Sequence, residues 1–144
     1  MRKVYTRKAN LSDLVEIKLL ADREKSSLGF ITRQTIREAI ETDSIMLILV
    51  DDKIVGFQHY YHRKRDLQTT LYHKTIDGEY RRQGLGRILV NSIVEEAKSL
   101  GRKKLFLKCP TNLSSNNFHE AFGFMLVGKE QGKKRELNLW EYPL

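Results

Sequence analysis

Cysteine is nearly absent: Cys109 is the single thiol in 144 residues. No internal disulfide framework can form, which suits a reducing compartment. Cysteine–histidine spacing of the zinc type is missing too, so no metal is expected. Cys109 lies near a strand end with no identifiable activating base and reads as a small packed hydrophobe. Only two prolines occur, and no linker, internal repeat or low-complexity segment is visible. No apolar run approaches the ~20 residues that span a bilayer. Met1-Arg2-Lys3 is not followed by an apolar stretch, so no membrane anchor and no secretory signal are expected, and a cytoplasmic location is. Acidic residues are the minority, with 18 Asp and Glu against 26 Lys and Arg, a net charge of +8. Such a field suits anionic ligands, a nucleotide or a nucleic acid among them. Three basic clusters, Arg63-Lys64-Arg65, Arg102-Lys103-Lys104 and Lys133-Lys134-Arg135, fall between expected elements and read as solvated turns. With 40% apolar and 31% charged residues, one globular domain over 1–144 is expected.

What is present centres on Glu79-Tyr80-Arg81-Arg82-Gln83-Gly84-Leu85-Gly86-Arg87. It follows the strand-like run Leu71–Ile76. It precedes a segment with apolar residues at Ile88, Leu89, Ile93, Val94, Ala97 and Leu100, one face of a helix over 88–100. Strand, basic glycine loop and helix start together make an anion site, because a helix N-terminus offers unbonded N–H groups and a positive dipole end. Gly84 and Gly86 carry no Cβ to hold an anion off the backbone.

In chain order, Val4–Arg7 is an expected strand. Asn10 and Asp13 are spaced as a cap for a helix burying Leu14, Ile17, Leu20 and Ala21. Ser26-Ser27-Leu28-Gly29 breaks it, and Thr32 caps a second helix through Ile36, Ala39 and Ile40. Ile45–Val50 is continuously apolar, a strand buried on both faces. Asp51-Asp52-Lys53 turns the chain into Ile54–His62, a hairpin. After Arg63–Asp66 and the strand to Ile76 come the glycine loop, its helix closed by Gly101, and a strand at Leu105–Leu107 parallel to the one before. A short helix, 115–122, closes at Gly123, and two strands end the chain. The class is α/β (α+β), a mixed sheet of six or seven strands flanked by four helices.

These residues resemble the GNAT superfamily of N-acetyltransferases. Arg81-x-x-Gly84-x-Gly86 is similar to that family's acetyl-CoA pyrophosphate loop, and Asn112 followed by Phe118–Phe124, ending in Gly123-Phe124, to its second signature. Residues 70–86 are particularly similar to the branch that acetylates the N-terminal amine of ribosomal proteins. The resemblance implies main-chain contacts to the pyrophosphate from Arg82, Gln83, Gly84, Leu85, Gly86 and Arg87, with Arg81 adding charge. It implies Lys74, Thr75 and Ile76 along the pantetheine arm where two parallel strands splay, a further contact from Asn112, and an oxyanion-stabilising N–H near Ile76. The implied chemistry is direct attack by a neutral amine on the thioester, with a base to take a proton and an acid to return one to the thiolate.

Two positions depart from the pattern. At the place of the family's usual acid, a tyrosine four residues before the glycine of Gly-Phe, stands His119, which reads either as a proton donor or as a histidine packed beside the cofactor sulfur. The similar branch's carboxylate base on the strand 105–109 is matched by Lys108, which as a charged lysine is a poor base. Glu79 and His73 are the candidate replacement bases, His73 reading either as a base or as a partly buried sheet residue, and Tyr72 alternates to the face opposite His73. His59 and His62 read as hairpin surface residues. Tyr60 and Tyr61 read either as an acceptor wall or as ordinary packing. Three functions stay open: an acetyl-CoA-dependent N-acetyltransferase acting on a small-molecule or protein amine; a non-catalytic CoA-sensing module; and a nucleic-acid- or tRNA-directed protein, motivated by charge alone. By resemblance the acceptor pocket draws on 11–43 and 124–144, where no motif names the amine. Terminal strands leave a homodimer open.

Overall fold

The computed structural model describes residues 2–24 and 30–144. Its strands are β1 (Val4–Lys8), β2 (Ile45–Val50), β3 (Lys53–Arg63), β4 (Gln68–Ile76), β5 (Lys104–Pro110), β6 (Met125–Gln131) and β7 (Glu136–Pro143). The helices are α1 (Leu14–Arg23), α2 (Arg33–Glu41), α3 (Leu85–Ser99) and α4 (Ser115–Phe122), with single 3-10 turns at Leu11–Asp13 and Gly78–Tyr80. The strands make a seven-stranded mixed sheet, as the sequence leads one to expect, in the spatial order β1-β2-β3-β4-β5-β7-β6. The break read at Ser26-Ser27-Leu28-Gly29 lies outside the described residues. Among the described residues no helix is long and apolar enough to cross a membrane. The chain divides into two compact units, Met1–Tyr60 with His73–Ile93, and Tyr61–Tyr72 with Val94–Leu144.

In the first unit, Ile17, Leu20 and Ala21 of α1 and Ile36, Ala39 and Ile40 of α2 share a core with Leu47 and Leu49 of β2 and Phe57 of β3. All six residues of β2 are buried, because β1 and β3 flank it and both its faces are covered. Asp51 and Asp52 take left-handed φ values of 49° and 67°, the geometry whose twist suits a two-residue hairpin turn. Lys53 already belongs to β3. The β2–β3 register slips between Ile48 and Leu49, pairing Gly56 with Ile48 and Ile54 with Leu49. Val55 is therefore a bulge, and its carbonyl accepts the N–H of Asp77 at 2.7 Å, fixing the end of β4.

The cap before α1 is reciprocal: Asn10 accepts from Ser12 N at 3.0 Å and Asp13 accepts from Asn10 N at 2.9 Å. Asp13 also takes a two-point contact from Arg7, at 2.8 and 3.0 Å. The Arg7 hydrogen bond is the main reason that the Asp13 carboxyl titrates below the usual carboxylate range, with burial opposing it. A carboxylate whose folded pKa is depressed stabilises the fold above its unfolded pKa and loses that contribution as pH falls through the folded value. Asp13→Asn is therefore expected to lower the melting temperature at pH 7 and to flatten its decline below about pH 4. Melting curves from pH 7 to pH 3 check this; parallel curves for the two proteins would contradict it.

In the second unit, β4 pairs parallel with β5 over Gln68–Lys104, Thr69–Leu105 and Thr70–Phe106. β7 pairs antiparallel with both β5 and β6. Asn116 of α4 holds this unit's strands to its loops. Its Oδ1 accepts from Asn138 Nδ2 at 3.1 Å and Trp140 Nε1 at 2.9 Å, while its Nδ2 donates to Pro110 O at 2.9 Å and Leu113 O at 2.8 Å. Gly123 ends α4 at φ 119°, a left-handed stop that favours glycine.

α3 corrects the expected helix start and face. It begins at Leu85, so Gly86 is helical. Its buried positions are Leu85, Leu89, Val90, Ile93, Val94 and Ala97, whereas Ile88 and Leu100 are 43% and 49% exposed. Starting the helix three residues earlier adds Leu85 to the stripe, and the stripe's centre rotates away from Ile88.

Candidate active site

The glycine loop is built from two left-handed residues and a helix start. Arg82 has φ 63° and Gly84 φ 78°. Backbone turned in this way can gather successive N–H groups into an anion-binding concavity. Ile88 N donates to Gly84 O at 3.2 Å, the first hydrogen bond of α3. The N–H groups of Leu85, Gly86 and Arg87 thus precede the helical ladder and point out of its positive end. A Cβ placed on Gly84 would meet nothing within 4 Å, so this side of the loop is open to a ligand.

Side chains brace the loop from beneath. Arg81 pairs with Glu24 and donates to the main-chain oxygen of Ile76 at 3.3 Å. Arg23 pairs with Asp77 at 3.1 Å, and Asp77 accepts from Glu79 N at 3.1 Å. Arg2 donates to Gln83. Arg81, expected beside the cofactor, is thus engaged in holding α1 to the loop. Gly56 lets the end of β4 come close: a Cβ there would lie 2.8 Å from Thr75 O.

The candidate proton-transfer residues fall in three places. Glu79 is exposed on the 3-10 turn Gly78–Tyr80. His73 of β4 stacks with His59 of β3, ring centroids 6.3 Å apart and planes 20° apart. The pair lines an apolar pocket with Ile31, Thr35, Ile36, Ala39, Ile45 and Phe57. Burial pushes the His59 imidazole down to about 4, the neighbouring His73 adding to the shift. Burial lowers His73 as well. Both rings are therefore neutral near pH 7. His119 belongs to the second unit, where it is 8% exposed. Its ring lies 5.9, 5.8 and 6.1 Å from those of Phe118, Phe124 and Trp140. Lys108 pairs with Glu130 at 2.8 Å, consistent with a charged lysine. Asn112 is exposed in the turn after β5.

Two histidines are not the surface residues that the hairpin reading expects. His62 bridges Thr69 Oγ1 and Glu96 Oε1, each at 2.7 Å, and its side chain is 14% exposed. His59 is half-buried in the pocket. The reason is shared: a helix covers each face of β3 where these rings project, α2 over His59 and Glu96 of α3 over His62. The signal for His59 was its two-residue spacing from Phe57, which puts both on one face. Tyr60 is fully buried and Tyr61 is 53% exposed, so these neighbours do not form one wall. Among the described residues no group of three or more His, Cys, Asp or Glu is placed to hold a metal ion.

Residues 13–124 match the family model described as acetyltransferase (GNAT) family. Among solved structures, Ard1 from Thermoplasma volcanium is similar with a TM-score of 0.85 at 16% identity, over 98% of this chain and 97% of that one. The ribosomal-protein-S18-alanine N-acetyltransferase from Escherichia coli is similar with a TM-score of 0.83 at 18% identity, over 98% and 94%. The PaiA N-acetyltransferase from Thermoplasma acidophilum, solved in complex with coenzyme A, has a TM-score of 0.83 at 15% identity, over 99% of each chain. At these identities the likeness to the solved structures is one of fold.

Proposed function

Because the chain belongs to the GNAT family of acetyltransferases, we propose that it is an acetyl-CoA-dependent N-acetyltransferase that delivers the acetyl group directly to a primary amine. The observation that carries this reading is the left-handed, open Gly84 at the start of α3, which fits the cradle that a pyrophosphate needs. Main-chain N–H groups from Arg82 to Arg87 would bind its oxygens, with the helix dipole reinforcing them. The main chain of Lys74, Thr75 and Ile76 would run beside the pantetheine arm, with Asn112 as a further contact. The bulge at Val55, by holding Asp77 N, sets where that stretch of β4 ends. β3, β4 and α3 each run through both compact units, which supports one transferase domain over the chain.

Acetyl-CoA supplies an activated acetyl group as a thioester. The residues of this chain orient it, exclude water and move protons. An N–H near Ile76 would bind the carbonyl oxygen as charge develops there. His119 occupies the family's acid position and is the group proposed to return a proton to the leaving sulfur. Glu79 is exposed on the loop and is the other candidate to take a proton from the amine. Much of the acceleration would come from holding amine and thioester together, an effect worth roughly 7–11 kcal/mol at best.

The test is release of CoA thiol from acetyl-CoA in the presence of primary amines, with the acetylated amine identified by mass spectrometry. Thiol release that depends on both protein and amine is expected. Release at the same rate without any amine, leaving only hydrolysis, would overturn the transferase reading.

A further inference from the structure

Two of the basic clusters that look like separate turns in the sequence form one surface. Lys103 N donates to Leu67 O at 2.7 Å, and Lys104 pairs with Gln68 at the start of the parallel β4–β5 ladder. The loop before β5 therefore lies against the β3–β4 turn, within the second unit. Arg63, Lys64, Arg65 and Lys103 make an exposed basic rim there, with Lys104 half-buried at its inner edge. Asp66, 3.4 Å from Arg63, and Glu141, 2.9 Å from Lys104, offset part of this charge. An exposed pair as long as the first holds Arg63 only weakly, so the rim keeps an excess of positive charge. None of these residues is among the cofactor contacts proposed above.

The rim adjoins a sheet face that meets solvent. In β5, Leu105, Leu107 and Cys109 are buried, while Lys104 and Phe106 are half-buried and Lys108 is exposed. In β7, Asn138 and Trp140 are buried between less buried neighbours. One face of these strands is thus packed, Asn116 of α4 bonding both Asn138 and Trp140, and the other is open. Thr69 pairs with Leu105 on the packed side and Thr70 with Phe106 on the open side. His62 bonds Thr69 at 2.7 Å, so it shares the packed side and its neighbour Tyr61, 53% exposed, falls on the open one. Tyr61 and Phe106 therefore flank Thr70, about 10 Å apart at two strand spacings. Arg63 and Lys104 stand two residues from them along their own strands, toward the rim.

We infer that this surface binds single-stranded nucleic acid, with the rim taking backbone phosphates and the Tyr61 and Phe106 rings taking bases. Cations alone would suit any anionic partner. Aromatic rings beside them suit a base, because every base has a π-face and stacking requires no particular sequence. A duplex keeps those faces stacked inside itself and would use the rim only. A lipid surface calls for an apolar helix face to insert, which the two turns of the rim do not supply. The partner is thus read through charge and stacking rather than through base edges.

The experiment measures binding of labelled oligouridine and oligothymidine of about 12 nucleotides, an RNA duplex of the same length and phosphatidylglycerol vesicles, from about 20 to about 200 mM salt. The single strands are expected to bind with micromolar Kd at low salt, at least about threefold more tightly than the duplex. Log affinity should fall against log salt with a slope of about −3, the value for four phosphate contacts at about −0.7 each. Any preference between the two single strands names the natural source. Lys64→Glu with Lys103→Glu should weaken binding at least about tenfold and roughly halve the slope. Lys133→Glu with Lys134→Glu changes the net charge equally, but in the β6–β7 turn, beside the Leu137 that pairs with Pro110 at the far end of β5. It should alter affinity less than about twofold. Tyr61→Ala should weaken single-strand binding at least about fivefold at an unchanged slope, whereas Tyr61→Phe should bind as the native protein does. The native protein's slope and strand preference require no variant, so they stand even if a variant folds poorly. Tighter binding of duplex or vesicles than of the single strands overturns the inference. So does an equal loss in the two charge-reversed variants, a Tyr61→Ala protein that binds like the native one, or no binding at low salt. Acetyl transfer is read separately by thiol release, so failure here leaves that reading untouched.

Discussion

Gly84→Glu is expected to abolish the stabilisation that acetyl-CoA confers, while the variant alone melts close to the native protein. Binding to the folded state contributes about 2.7 kcal/mol at a ligand concentration 100 times Kd, which for a chain of this length raises the melting temperature by roughly 10 °C. In Gly84→Glu that rise should vanish. The left-handed φ of 78° costs a side chain about 1 kcal/mol. No clash adds to it, since a Cβ at this position meets nothing within 4 Å. A carboxylate beside the start of α3 recovers part of that cost from the dipole. The same carboxylate competes for the N–H groups that would hold the pyrophosphate, and it repels the phosphates. Gly84→Ala separates the two effects, since it introduces the strain without the charge and should keep most of the rise. Thermal scans with and without acetyl-CoA decide this, and an undiminished rise in Gly84→Glu would remove the loop from the cofactor site.

Gly56→Val should have the largest effect on stability. A Cβ at Gly56 would lie 2.6 Å from Ile76 Cδ1, 2.8 Å from Thr75 O and 2.9 Å from Ile48 Cγ2. The two isoleucine methyls can rotate away. The Thr75 carbonyl is main chain and moves only if β4 moves. Overpacking of this kind costs about 3 kcal/mol, or roughly 10 °C in melting temperature. Because Thr75 and Ile76 are also where the pantetheine arm is proposed to run, the KM for acetyl-CoA should rise in whatever fraction folds. A variant melting within about 2 °C of the native protein would show that the close approach is unnecessary.

These two glycines differ in how well the sequence announces them. Gly84 lies in a basic loop between a strand and a periodic helix, and its role follows from local pattern. Gly56 sits inside β3 with no local signal, because its need for a missing Cβ comes from β4, some twenty residues further on. The histidines divide in the same way. His119 is located by its spacing from Gly123-Phe124. His59 and His62 look like surface residues in the sequence because a hairpin considered alone has an open face. In the sheet both faces of β3 are covered by helices where these rings project, so one histidine lines a pocket with α2 while the other bridges Thr69 and Glu96.

The order of elements, the two capped helices, the doubly buried β2, the left-handed stops at Gly101 and Gly123 and the family itself were determined by the sequence alone. Each rests on contacts within a few residues or on a periodicity that a single element carries. The bulge at Val55, the bracing of Arg81 by Glu24, the enclosure of His119 by aromatic rings and the pairing of His59 with His73 were decided only by the tertiary structure. Those contacts join residues far apart in the chain, and the burial that makes a histidine neutral depends on what lies above it rather than on what precedes it.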